Sequence, residues 1–523
     1  MRTPDARPGL TAAACLTIGT LALPAQAHAQ ASAYEELQNF SALLNHVRRN
    51  YVDEIDYSRL TLAAMQGVLL GLDPHSYFLT TSDLSRLESF EAGELAGVGI
   101  RLEQRGESVV ALSVRRFGPA DRADVHPGDR LVAVDDTSVA GLGAREVDVR
   151  LLGKPGSKVD LRLERGSRLE PQMIEVRLER KKLPGGSVVE VAMREPGVGY
   201  VRLERFEENA GDELEKAVEQ LADRDASLLL LDLRGNPGGI LDEAVEAASI
   251  FLRKDRPVFT TRGRKEDMNE EYRARRNGKF RDIGLVVLID EGSASGSEVL
   301  AVSLQDNDRA LIVGRRSFGK ALIQTAFFLP QGHVVMLTVG RVYAPSGRLI
   351  QRDYEGITSE QFRSRAGEAP ESDTLTYLTL GGRPVRGGGG VRPDVESPGP
   401  VPLPAWWAGS VELGIPLEVA TAASASVGGN VEVWVEQAET WEQILVAPYL
   451  ERARADLSVE AEATPAEQER LARELAGLVA GVKWGRVGQE RFQLLTDPDI
   501  ELAVETYRER LAAASDSGAG GDS

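Results

Sequence analysis

Residues 291–324 read EGSASGSEVLAVSLQDNDRALIVGRRSFGKALIQ and directly follow the apolar run LVVLID, 285–290. Ser293, Ser295 and Ser297 alternate there with Ala294 and Gly296. A short apolar run that ends in small residues reads as a strand buried on both faces, with a helix beginning at about Ser297. Ser295 then sits at the helix start, where backbone N–H groups can face an oxyanion, and Gly296 permits close approach. Similar units recur upstream and downstream. Strands are expected at 199–203, 228–233 and 311–313, and helices at 213–222 and 241–251. This alternation predicts an α/β layer. A second glycine-rich strand-to-helix turn, DLRGNPGG at 232–239, can supply another oxyanion donor.

A serine hydroxyl is a weak nucleophile until a base takes its proton. The five histidines are His28, His46, His75, His126 and His333, and none lies near the serine run. The run also misses the hydrolase elbow G-x-S-x-G, because Ala294 stands where its serine would be. A neutral lysine can serve instead. Keeping it neutral at pH 7 costs roughly 4.6 kcal/mol, and burial supplies part of that. Lys320 has the neighbours for burial, with Phe318 and Gly319 before it and Ala321, Leu322 and Ile323 after. Gln324 can orient the amine without adding a negative charge. Small residues after a strand also serve plain turns and caps, and lone lysines are commonly surface charges.

The 523 residues predict several domains. Eighty acidic residues against 61 basic ones give a net charge of -19, a poor match to nucleic acid or anionic membrane. The start carries Arg2 and Arg7, an apolar run over 10–23, Pro24 and the small-x-small site Ala27-His28-Ala29. It reads as a secretory signal. The one cysteine, Cys15, lies inside it, so the mature chain is expected to hold no disulfide and no cysteine metal site. Residues 34–90 look helical. Residues 97–179 show short strands between Gly and Pro turns, with a short helix at 144–152. Beyond Pro404 the chain turns helical again. Thr464-Pro465-Ala466-Glu467 is a helix start, followed by the stripe Leu471, Leu475, Leu478, Val479 and Val482. Another helix starts at Asp497-Pro498, with Ile500, Val504, Tyr507 and Leu511. These stripes need a partner, either the chain's own core or a second copy in a homo-oligomer.

The motifs LDPHS (72–76), GVGI (97–100), PGD (127–129), DLRGNPGG, EGSASGSE (291–298), QD (305–306), FGK (318–320), Gln324, PSGR (345–348) and GGGGVRPDV (387–395) stand in one order. As a set they resemble the carboxy-terminal processing peptidases, or tail-specific proteases, a serine-lysine family. The resemblance covers about residues 36–396. It implies Ser295 as nucleophile, Lys320 as general base and Gln324 as the residue that orients the base. It further implies Gly296 with Gly238 or Gly239 as oxyanion donors, and a supporting, structural Asp306. His75, within LDPHS, reads as a turn residue rather than a catalyst. The β-rich segment resembles a PDZ domain, in which Gly97, Val98, Gly99 and Ile100 would hold a peptide C-terminus. The sequence departs from the family at Gly296 (usually alanine), at Ala321 (often glycine) and at Arg315-Arg316 (typically acidic after Gly314). The last departure puts the charge at the site entrance in doubt.

The expected fold class is multidomain α+β. It comprises a signal peptide over 1–29, a helical region over 30–95, a PDZ domain over 96–182 and a crotonase-like α/β catalytic core over 183–400. A helical region over 401–511 and a disordered tail over 512–523 follow. The expected function is an exported serine endopeptidase, periplasmic or extracellular, and membrane-associated if the signal stays uncleaved. Its substrates would be proteins or peptides with accessible apolar C-termini. No cofactor or metal is expected. The rival functions are a non-catalytic PDZ scaffold and, less favoured, a crotonase-like acyl-CoA enzyme.

Overall fold

A computed structural model describes residues 33–85, 96–105, 108–114, 118–123, 125, 129–165, 172–181, 186–355, 361–362, 375–457 and 461–518. The expected signal peptide, together with His126, Pro127 and Gly128, lies outside them. The chain divides into two units at residues 65 and 66. The first holds the helix Ala33–Asn50. A second helix spans Tyr57–Leu70.

Five parallel strands form the central sheet, in the spatial order Val395–Glu396, Leu311–Gly314, Gly284–Ile289, Leu228–Asp232 and Val198–Leu203. The antiparallel strand Val188–Glu195 closes one edge. Alternate residues of these strands point to opposite faces, as the pleat requires. Leu229, Leu231, Val287 and Ile289 pack with the helices Ala210–Ala222, Leu241–Phe251 and Gly296–Asp306. Leu228, Leu230, Val286, Leu288 and Val313 face the other way, onto Leu494, Ile500, Ala503 and Val504. Both faces are thus covered, which explains why the strands read as unbroken apolar runs.

The second cover comes from the C-terminal helix Pro498–Gly518. The stripe Ile500–Val504 finds its partner on the central sheet, with Ile500 and Val504 each 2% exposed. Burying one such side chain contributes about 1.5–3 kcal/mol. The preceding helices form a core of their own, in which Leu471, Leu475 and Val479 pack around Trp434, Trp441 and Tyr449. Thr464 caps the helix Pro465–Thr496, accepting from the Glu467 N–H, and Gly485 at φ 70° breaks it. The expected helical region, 401–511, therefore divides between two cores. The chain itself covers Leu471, Leu475, Val479, Ile500 and Val504 of the stripes that suggested an oligomer contact, and leaves Val482 and Leu511 exposed. The final helix also runs to Gly518, past the tail expected from residue 512, because Ala512, Ala513 and Ala514 are strong helix formers.

Another departure concerns residues 34–90. Tyr77–Leu79 is a strand, paired with Val334–Met336 of the long strand Val334–Tyr343. Aromatic and apolar residues after a turn favour pairing on a sheet edge over helix. That antiparallel sheet also contains Leu322–Phe328, Pro257–Gly263 and Glu271–Arg273.

The small β-domain is a six-stranded antiparallel sheet, in the order Ile100–Arg105, Ser108–Val114, Arg130–Val134, Lys158–Arg165 and Gln172–Glu179, with the short strand Thr137–Ser138 paired to Arg130–Val134. The helix Ala144–Leu151 packs on it through Val147 and Leu151. Asp129 is buried and accepts two bonds from the Arg165 guanidinium at 2.7 and 2.8 Å, which anchors the start of the strand Arg130–Val134.

Candidate active site

The parallel strands end on a set of loops, the usual place for a site in an α/β sheet. After the strand Gly284–Ile289 the chain turns through Ser293-Ala294-Ser295. Ser293 and Ser297 are fully buried and spend their hydroxyls on the neighbouring loop. Ser293 Oγ donates to the Leu233 carbonyl and Ser297 Oγ to the Asn236 carbonyl, both at 2.8 Å. Ser295 lies between them with φ 54° and ψ -115°, at the N-cap of the helix Gly296–Asp306. A non-glycine residue held there carries about 1–3 kcal/mol of backbone strain. The serine alternation thus pins both flanks of a strained elbow, although the sequence lacks the G-x-S-x-G pattern.

The loop 232–239 packs directly against that elbow. Gly238 has φ +90°, and a Cβ there would lie 2.5 Å from both the Ala294 carbonyl oxygen and the Gly296 nitrogen, and 2.8 Å from Ser295 Cβ. Only glycine fits. The Gly238 N–H donates to Asn236 Oδ1 at 2.8 Å, so it is committed. Among the described residues the N–H groups of Gly239 and Gly296 have no partner, and the Gly239 nitrogen lies 3.4 Å from where a Gly296 Cβ would be. Of the glycines expected as oxyanion donors, Gly239 and Gly296 have the free donors and Gly238 supplies the close approach.

Glu298 ties the elbow to the lysine loop. This carboxylate is fully buried. Its Oε2 accepts the Ser295 N–H at 2.9 Å and the Lys320 N–H at 2.8 Å. Its Oε1 accepts the Gly319 N–H at 2.7 Å and the Ser317 hydroxyl. Burial pushes its carboxyl above the ordinary value, while these four donors pull it down. Ser317 in turn accepts the Val391 N–H at 2.6 Å, which brings the GGGGV turn into the same network.

Lys320 is half-buried, and its Nζ donates to Gln324 Oε1 at 3.2 Å. Burial holds its pKa below the ordinary lysine value, helped by the Arg145 charge and opposed by Glu298 and Asp73. Arg145 belongs to the helix Ala144–Leu151 of the β-domain. Gln324 is fixed from behind, since its Nε2 donates to the His75 carbonyl. The LDPHS turn sets that carbonyl, because Asp73 accepts the N–H groups of His75 and Ser76 at 2.7 and 2.8 Å and the Ser76 hydroxyl at 2.7 Å. His75 is thus a turn residue, as the sequence suggested. Among the described residues no hydrogen bond joins Ser295 Oγ to Lys320 Nζ.

Asp306 lies fully buried and accepts from Arg348 Nη2 at 2.7 Å and from the Ser346 N–H at 3.0 Å. Gln305 accepts from the same Arg348 Nη2 at 2.6 Å and donates to Asp394 Oδ1 at 3.0 Å. The motifs QD, PSGR and VRPDV therefore meet in one buried polar knot. In the β-domain, Gly97 exchanges two backbone bonds with Lys181, at 3.2 and 3.0 Å. Its N–H is engaged, a correction to its expected part in holding a carboxylate. Gly99 takes φ 81° and Ile100 opens the first strand. Arg101, beside it, donates to the Gly235 carbonyl at 2.7 Å, so the β-domain touches the loop 232–239.

Residues 197–362 match the model of Peptidase family S41, and residues 96–176 match that of the PDZ domain. A carboxy-terminal-processing protease of Bartonella bacilliformis is 32% identical over 359 residues, which cover 68% of this chain and 80% of that protein. The chain belongs to the carboxy-terminal-processing proteases of family S41. The carboxy-terminal processing protease CtpB of Bacillus subtilis is 27% identical over 336 residues, 64% of this chain and 69% of its own length. Among solved structures, the photosystem II D1 C-terminal processing protease is 28% identical, spans 69% of this chain and 93% of its own, and gives a TM-score of 0.49. Two residues outside the expected site set, Glu298 and Asp73, hold the backbone around Ser295, Lys320 and Gln324. Glu298 lay unremarked inside the quoted EGSASGSE, and Asp73 inside LDPHS. The signal for Glu298 was available, since an acid three residues after a helix-capping serine is a capping-box pattern.

Proposed function

We propose that this family S41 protein is an exported serine endopeptidase that holds protein C-termini in its PDZ domain and cleaves peptide bonds through an acyl-enzyme on Ser295. Lys320, whose pKa burial lowers, takes the Ser295 proton in its neutral form as the hydroxyl attacks the scissile carbonyl. Gln324 orients the amine. The N–H groups of Gly239 and Gly296 receive the oxyanion, and the protonated Lys320 then returns its proton to the leaving amine. Export would depend on residues 1–29. In this reading residues 96–182 bind, residues 183–400 catalyse and Asp306 supports the catalytic core from its pair with Arg348.

The observation that supports this most is Glu298 Oε2. One oxygen accepts both the Ser295 and the Lys320 N–H, so the two backbone nitrogens lie within two hydrogen-bond lengths of each other. In this reading the two side chains close into a dyad when substrate binds, since catalytic bonds commonly tighten only then. For terminus capture, the proposed donors are the N–H groups of Val98, Gly99 and Ile100, in the backbone mode that captures a terminal carboxylate.

The test uses the mature chain and peptides that share a cleavable body. They end in a free apolar residue, the same residue amidated, or a charged residue. Cleavage of the free apolar form, weaker handling of the amide and no cleavage by Ser295→Ala are expected. Equal handling of acid and amide would remove terminal capture, and cleavage by Ser295→Ala would remove the nucleophile.

A further inference from the structure

The first turn of the C-terminal helix reaches two loops of the site directly and a third through an arginine. Asp499 is 7% exposed. Its Oδ2 accepts from Arg234 Nη1 at 3.1 Å and from Arg315 Nη1 at 3.2 Å, and its Oδ1 accepts the Ser397 hydroxyl. Asp497 caps the same turn through the N–H groups of Asp499 and Ile500, at 2.9 and 3.2 Å. It also pairs with Arg234 at 2.9 Å.

Each arginine leads to a different loop. Arg234 begins the turn that ends in Gly238 and Gly239, and it is held from the sheet side by the buried Asp232 at 2.7 Å. Arg315 pairs with Glu291 at 2.9 Å, at the head of the Ser295 elbow. Arg315 itself opens the segment that runs through Ser317 to Lys320. The Asp499 carboxylate therefore joins the oxyanion loop to the lysine loop, and reaches the nucleophile elbow through the Arg315–Glu291 pair. The helix that carries it is seated on the sheet by Ile500, Ala503 and Val504.

We propose that Asp497 and Asp499 form a positioning latch, by which the C-terminal helix holds the three loops of the site in mutual register. The proposal rests on the peptidase reading above for its effect on turnover. The departure at Arg315 acquires a purpose here, because an acidic residue at that position would repel Asp499. The latch acts on the backbone that carries Gly239, Gly296 and Lys320 and touches no substrate. Loosening it misplaces groups that work only in the transition state, so kcat falls while KM stays. A misplacement of about 1 Å costs on the order of a hundredfold in rate.

The experiment compares the full chain with Asp499→Asn and, as a milder change that keeps the charge, Arg315→Lys. Turnover of the free-terminus peptide and amide hydrogen exchange are both measured. For Asp499→Asn, kcat is expected to fall by about tenfold to a hundredfold with KM nearly constant. Exchange should quicken in 233–239, 291–296 and 315–320 and stay unchanged in 158–165 and 465–484. Arg315→Lys should show the same pattern, smaller. Unchanged exchange in the three loops would overturn the latch, whatever happens to turnover. Faster exchange over the whole chain in both variants would overturn it too, since that marks general destabilisation. If the wild type cleaves no peptide, the peptidase reading fails, and the exchange pattern still decides whether the latch exists.

Discussion

Replacing Glu298 with glutamine perturbs the shared carboxylate while keeping its shape. The oxygen facing Ser295 and Lys320 takes two backbone N–H groups, and the other takes the Gly319 N–H and the Ser317 hydroxyl. A glutamine offers one oxygen and one NH2. Turned one way, its NH2 meets two backbone donors, which cannot reverse. Turned the other way, it meets one backbone donor and a hydroxyl that can rotate and accept. The second orientation wins, so Glu298→Gln keeps the bonds to Ser295 and Lys320 and leaves Gly319 unpaired. One buried orphan N–H costs about 1–3 kcal/mol. Glu298→Ala orphans three backbone N–H groups, about 3–9 kcal/mol on the same scale, which approaches the roughly 5–15 kcal/mol that holds a native protein together. Far-UV circular dichroism in urea measures the difference. Tryptophan emission does not, because all five tryptophans lie between Trp406 and Trp484, outside the catalytic sheet. Peptide turnover should survive in Glu298→Gln at a reduced level and vanish in Glu298→Ala. The Glu298 charge also holds the Lys320 pKa up, so the neutral glutamine should move the rise of kcat with pH to lower pH. Equal stability of the two variants, or a shift of the pH profile to higher pH, would refute this reasoning.

Gly238→Ala should lower kcat by about a hundredfold or more, because its Cβ collides with the Ala294 carbonyl and the Gly296 nitrogen. Tryptophan fluorescence should stay native and so exclude collapse of the helical core. Lys320→Met should abolish cleavage yet melt no lower than the wild type. The folded state lowers the Lys320 pKa, so it binds this proton less readily than the unfolded chain and gains stability as pH rises. The stability advantage of Lys320→Met should therefore shrink from neutral pH towards the ordinary lysine pKa. Asp306→Asn should cost about 3–5 kcal/mol in thermal or urea unfolding, because it leaves the fully buried Arg348 without its charged partner.

The strands of the central sheet were legible because each is buried on both faces. Leu228–Asp232 and Gly284–Ile289 read as unbroken apolar runs and fell within one residue of where they were expected. The cap at Thr464 was legible for a local reason, since all its partners lie within one turn. Short pieces whose structure depends on distant pairing were not. Tyr77–Leu79 becomes a strand only because Val334–Met336 offers it an edge. The place of the final helix on the sheet was equally hidden, because an apolar stripe such as Ile500–Val504 states that it needs a partner and not which one. The same division runs through the site. Ser295, Lys320 and Gln324 stand out by residue type and surroundings. Glu298 was legible only as the capping acid of Ser295 and Asp73 only as a local turn acid; the bonds from Glu298 to Gly319 and Lys320, and from Asp499 to Arg234 and Arg315, join segments that no spacing rule connects.

The most direct test of chemistry at Ser295 is mass analysis of the mature protein after treatment with a serine-directed fluorophosphonate. A single adduct is predicted, mapping to Ser295. Its formation should quicken with rising pH, as Lys320 loses its proton, and be nearly absent in Lys320→Met. An adduct on another serine, no adduct in a protein that cleaves peptides, or labelling of Lys320→Met at the wild-type rate would contradict the assignment of Ser295 as nucleophile with Lys320 as its base.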